Sequence, residues 1–101
     1  MAKTSKAAEG VKTLKVARDL RIAAAAAVYG ELCAASQGRD RRVALDARQV
    51  EKVDAAGLQA LLAGRRALVD AGKAVSWTGC STPLRAAAEL LGLAESLGIG
   101  Q

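Results

Sequence analysis

Val43-Ala44-Leu45 is an uninterrupted apolar run closed off by Arg42 and Asp46. A strand with one wet face alternates apolar and polar residues, whereas a short run without alternation reads as a strand covered on both faces. Such strands occupy the centre of parallel sheets. Parallel neighbours cannot be joined by tight hairpins and need crossovers, which are usually helices. The residues on either side of this run supply them.

Upstream, Val11–Val16 holds a partial alternation that predicts a strand with one wet face, and Arg18-Asp19-Leu20-Arg21 reads as a turn. Strong helix formers then run over Ile22–Ser36, with Ile22, Ala25 or Ala26, Tyr29 and Cys33 marking the apolar positions. Gly30 lowers helix propensity and is expected to permit close packing on the sheet. Gln37-Gly38 ends the helix, with Gly38 as the natural C-terminal cap.

Downstream, Asp54 stands where its carboxylate can accept the unpaired N–H groups of a new helix. Leu58, Leu61, Leu62, Arg65 and Leu68-Val69 follow at spacings of three and four, tracing a stripe on that helix. Ala71-Gly72 closes it. Ala74–Thr78 reads as the next strand, with Val75 and Trp77 on one face, and Gly79-Cys80-Ser81 as a loop. Thr82-Pro83 opens another helix as a hydroxyl N-cap followed by proline at the first helical position. It continues through Leu84, Ala87, Ala88 and Leu91 to Gly92, and Leu93–Ile99 adds a last helical turn. The order is β-α-β-α-β-α. It predicts one α/β domain over residues 11–101, with a mostly parallel or mixed sheet of about four strands and three to four helices packed on it. Residues 1–10 (MAKTSKAAEG) read as a disordered basic tail.

Composition narrows the chemistry. Tyr29 and Trp77 are the only aromatic residues and histidine is absent, so the core must come from Leu, Val and Ile between close-packed helices. Cys33 and Cys80, isolated on a helix and a strand end, read as reduced and buried. No set of cysteines and carboxylates has metal-ligand spacing, and neither a phosphate-binding loop nor a dinucleotide fingerprint occurs. The acids are dispersed, which leaves no poised acid–base pair. No catalytic residue, cofactor or metal is therefore expected. A net charge of +5 comes from scattered Lys and Arg, without the basic stripe and stacking aromatics of a nucleic-acid reader. Nucleic acid is not an expected partner, although a positive face can steer an acidic protein. No apolar run reaches the roughly 18 residues of a membrane span. The basic N-terminus lacks the apolar centre of a secretory signal. A cytoplasmic location is the expectation.

Against this order of elements, four stretches resemble the STAS domain, the fold shared by sulphate transporter tails and anti-sigma factor antagonists. Leu14-Lys15-Val16-Ala17-Arg18-Asp19-Leu20 is similar to the family's strand and its Gly-Glu/Asp-Leu turn, with Arg18 in place of glycine and Arg21 following. Val43-Ala44-Leu45-Asp46, with Val50 and Val53-Asp54, resembles its central strand and loop. Asp54-Ala55-Ala56-Gly57-Leu58 falls on the family's Asp-Ser-Ser/Thr-Gly-Leu. Gly72-Lys73-Ala74-Val75, Thr82-Pro83-Leu84-Arg85 and Leu90-Leu91-Gly92-Leu93 resemble the final strand and last helix. The match spans roughly residues 13–98. The family's additional N-terminal edge strand has no clear counterpart in residues 1–10.

The resemblance implies a protein-interaction module, not an enzyme. Its docking residues would be Lys52, Asp54, Ala55, Ala56, Gly57, Leu58 and Gln59. In the family a partner kinase phosphorylates a hydroxyl in this loop, and the added charge repels the partner. Ala55 and Ala56 make it a degenerate phosphosite. Three kinds of partner follow by analogy: an anti-sigma factor or related kinase, a chemosensory protein, or the ATPase of a phospholipid ABC transporter carrying a small STAS subunit. A homodimer is also open. On the residues alone, Asp54 reads as a helix cap, Gly57 as a site of close approach by either a strand or a partner, Trp77 as core, and Ser81-Thr82-Pro83 as cap chemistry before phosphosite.

Overall fold

The computed structural model describes residues 10–99. Strands β1 (Val11–Lys15), β3 (Arg42–Ala47) and β5 (Ala74–Cys80) form a parallel sheet in the order β1-β3-β5. β3 is the centre, as its unbroken apolar run requires, and Val43, Leu45 and Ala47 are wholly buried. Helices α1 (Ile22–Ser36) and α2 (Ala55–Asp70) supply the crossovers, and α3 (Thr82–Leu90) and the single turn α4 (Ala94–Leu97) follow the last strand. Among the described residues, the expected single sheet of about four strands is three strands plus a separate two-stranded ladder. That ladder pairs β2 (Asp19–Leu20) with β4 (Lys52–Val53), in parallel. Residues 18–21 are therefore more than a turn. Glu51 and Lys52 donate their N–H groups to Arg18 O at 2.8 and 3.2 Å, so the segment is held by a distant stretch of chain.

The core is aliphatic. Leu20, Leu45, Leu58, Leu61, Leu68, Leu84 and Leu97 are all fully buried, and Trp77 packs against them from β5. Each such leucine contributes roughly 1.5–3 kcal/mol by leaving water. α1 meets α2 closely because Gly64 has no side chain. A β-carbon there would stand 2.6 Å from Leu32 Cβ, well inside contact distance.

Several local expectations are corrected. α1 buries Val28, Leu32 and Ala35, not the stripe of Ile22, Tyr29 and Cys33; Ile22 is 73% exposed and Tyr29 44%. Alanine at so many positions lets either face present apolar surface, so tertiary packing chooses between them. Gly30 faces open space and no strand approaches it. Gln37, in right-handed helical geometry, is the C-cap of α1, and Gly38 does not adopt a left-handed conformation. Val69 and Leu91, placed on the buried stripes, are about half exposed. β5 extends through Gly79 and Cys80 because a register shift opposite Leu45 and Asp46 inserts Thr78 without ending the ladder. Ser81, not Thr82, is the N-cap of α3 and accepts the Leu84 N–H at 3.2 Å, leaving Pro83 within the first turn. Cys33 and Cys80 are free thiols, each only partly buried. The disordered tail expected over residues 1–10, where the family's edge strand has no clear counterpart, falls, apart from Gly10, outside the described residues.

Candidate docking site

The site is assembled by the β2–β4 ladder. It sets Asp19 opposite Lys52 and Leu20 opposite Val53, so the chain entering α1 lies beside the chain entering α2. Both helices begin at this end of the molecule with unpaired backbone N–H groups.

Asp54 serves both. One carboxylate oxygen accepts the Gly57 N–H at 2.8 Å within its own helix, and the other accepts the Ile22 N–H at 3.0 Å at the start of α1. Arg21, the residue in the N-cap position of α1, makes no side-chain cap of its own. The cap expected of Asp54 is present, and it also reaches a second helix. Sequence spacing links an N-cap to the residue three places on, but nothing in it connects residues 22 and 54.

Gly57 answers the question of what approaches it. A β-carbon there would lie 2.6 Å from the Leu20 carbonyl carbon and closer still to its oxygen. The glycine admits a neighbouring strand, β2, whose Leu20 O also accepts the Asp54 N–H at 3.2 Å. Gly57 and Leu58 are buried, so neither offers a side chain to solvent. Of the seven residues expected to dock, Lys52, Ala55 and Gln59 are exposed, and Asp54 and Ala56 are partly so.

Charged neighbours frame this surface. Arg21 grips Asp19 through two hydrogen bonds of 2.7 and 2.8 Å, which holds the Asp19 carboxyl below its usual range and raises the Arg21 guanidinium. Arg18 and Glu51 form a second exposed pair at 2.9 Å. Exposed pairs of this kind add little to stability, and their effect here is to fix side-chain directions around the loop. Along the outer seam between α1 and α2 runs a cleft of about 370 Å³ whose lining includes Tyr29, Gln59, Leu62 and Arg66. Ile22 and Tyr29 thereby become candidate surface residues. The helical spacing that marked them as apolar was real, but their face is the outward one.

The arrangement contains no group of three metal-ligating side chains among the described residues, and no described helix is long and apolar enough to cross a membrane. Ala55 and Ala56 stand at the first two helical positions, with methyl groups where the chemistry of phosphate transfer needs a hydroxyl.

The protein belongs to the STAS domain family: the family model described as Mlab, STAS domain matches residues 4–99. Among solved structures it is similar to the sulfate transporter family protein from Wolinella succinogenes. The TM-score is 0.73 and the identity 25%, over 88% of this chain and 72% of that one. The α/β architecture expected from the order of elements is thus the STAS fold. A search of curated protein sequences gave no match.

Proposed function

We propose that this protein is a non-catalytic interaction module whose docking surface combines the start of α2 with the outer side of α1. Lys52, Ala55 and Gln59 form its exposed centre, flanked by Ile22 and Arg21, while Asp54 and Gly57 hold the backbone in shape from beneath. The observation that carries the reading is the pair of alanines at an exposed helix start. Asp54 caps the helix start and Ala55 is exposed on it, which suits a docking role, yet the loop has no hydroxyl to phosphorylate. Such a domain stays in the binding-competent state, as an antagonist of an anti-sigma factor or as a chemosensory adaptor would when unphosphorylated. Any regulation acts through the partner or through another site.

The test is capture of partners from cell extract by wild type and by Ala55→Asp. Placing a carboxylate on the surface should deplete the specific partner without altering the circular dichroism spectrum. Equal recovery by both proteins sinks the assignment of the surface. Incubation with ATP and cellular kinases should leave residues 54–58 unmodified. The same two alanines support a second reading, a small cytoplasmic STAS subunit seated on the ATPase of a phospholipid ABC transporter, where no hydroxyl switch is needed. Identification of the captured protein as a transport ATPase, or as a kinase or chemosensory protein, decides between them.

A further inference from the structure

A cleft of about 310 Å³ opens along β5, the edge strand of the sheet. Arg65 enters it from α2 and Arg85 from α3, and Trp77, Ser76 and Cys80 form its wall. Arg65 lies eleven residues beyond Asp54, about 16 Å along the helix, and the lining of the cleft shares no residue with the docking surface. Among the described residues, no carboxylate lines it. The ion pairs among the described residues engage Arg18, Arg21 and Arg48, which leaves Arg65 and Arg85 without an acidic partner there.

Each guanidinium instead spends one nitrogen on a backbone carbonyl. Arg65 Nη1 donates to Ser96 O at 3.1 Å and Arg85 Nη1 to Ile99 O at 2.8 Å, while Trp77 Nε1 donates to Leu97 O at 2.8 Å. Three side chains thus fix the segment after α3 as the outer lip of the cleft. An arginine carries five N–H donors, and a single carbonyl satisfies one of them. Arg65 Nε is buried with no hydrogen-bond partner, alone in this among the described residues. Buried donors are nearly always paired, and an orphan marks a missing acceptor.

We propose that this cleft binds a small phosphomonoester, its phosphate between Arg65 and Arg85 and its organic part against Trp77. Two cations that pair with no acidic side chain among the described residues favour a dianion, and guanidinium forks match the oxygen spacing of phosphate. The volume is at the lower end of the range for small-molecule sites.

Trp77 is the only tryptophan in the chain, so its fluorescence reports on this cleft directly. Wild type is titrated with phenyl phosphate and with inorganic phosphate, against chloride at matched ionic strength. A saturable change with phenyl phosphate, weaker with inorganic phosphate and absent with chloride, is expected. Arg85→Gln should weaken binding by about tenfold or more, since a charge-assisted hydrogen bond is lost. Arg39→Gln, which removes the same charge from an exposed position outside the cleft, should stay within about twofold. A change that tracks ionic strength alone, or equal loss in both variants, overturns the proposal. If Arg85→Gln does not fold, shifts of the wild-type Trp77 indole and Arg side-chain NMR signals decide. Perturbation centred on Trp77, Arg65 and Arg85 supports the site, and perturbation elsewhere or none rejects it.

Discussion

Asp54 and Ile22, thirty-two residues apart in sequence, are joined by a 3.0 Å hydrogen bond from the Ile22 N–H to the Asp54 carboxylate. With its second bond to Gly57, one side chain begins two helices. Each cap removed costs about 1 kcal/mol, so Asp54→Ala should lose roughly 2 kcal/mol in urea unfolding. Asp54→Asn keeps a single acceptor oxygen and should lose about half as much. Wild-type stability in Asp54→Asn, with a loss only in Asp54→Ala, would show that the bond to α1 contributes nothing.

Two glycines on helices should respond to alanine in opposite directions. Gly57→Ala drives a methyl group into the Leu20 carbonyl, a backbone group with little room to move, and should cost roughly 1–3 kcal/mol or more. Gly30→Ala meets open space in the middle of α1 and should stabilise by about 0.5–1 kcal/mol through helix propensity. Thermal midpoints of the two variants against wild type give the signs directly.

The two apolar stripes of α1 can be separated by truncation. Leu32→Ala opens a cavity between α1 and α2 and should cost about 2–5 kcal/mol. Ile22→Ala removes an exposed side chain and should fall within about 0.5 kcal/mol of wild type. A large stability loss for Ile22→Ala would mean that this face is covered in solution, by a second copy or by another part of the chain.

Asp46 ties stability to pH. Arg48 donates to it through Nη2 at 2.9 Å, Nε at 3.0 Å and its backbone N–H at 3.2 Å, holding the carboxyl at about 2 against an ordinary value of 3.8. Because the folded value is the lower one, the unfolded chain takes up the proton first as pH falls. The contribution is complete above about pH 4 and fades between about pH 4 and pH 2. Asp46→Asn lacks it throughout. The gap between wild type and this variant in urea midpoint should therefore be widest near about pH 7 and narrow towards about pH 2.5. A gap that does not change with pH removes Asp46 as the source.

The sequence by itself determined the class of fold. The unalternating run at Val43–Leu45 can be satisfied only by cover on both faces, and the formers, breakers and caps around it place α1, α2, α3 and the three main strands. It also determined what the loop at Ala55 and Ala56 cannot do, because a methyl group has no oxygen to modify. Only the tertiary structure decided which apolar face of α1 turns inward, since alanine-rich stripes at Ile22–Cys33 and at Val28–Ala35 satisfy helical spacing equally well. It alone created the β2–β4 ladder, whose two-residue strands carry too little pattern to be read. From that ladder come the contact of Leu20 with Gly57 and the capping of both helices by Asp54. The convergence of Arg65, Trp77 and Arg85 on one short segment has the same origin. Periodicity records a residue's neighbours along its own element, while these contacts depend on where distant elements come to rest.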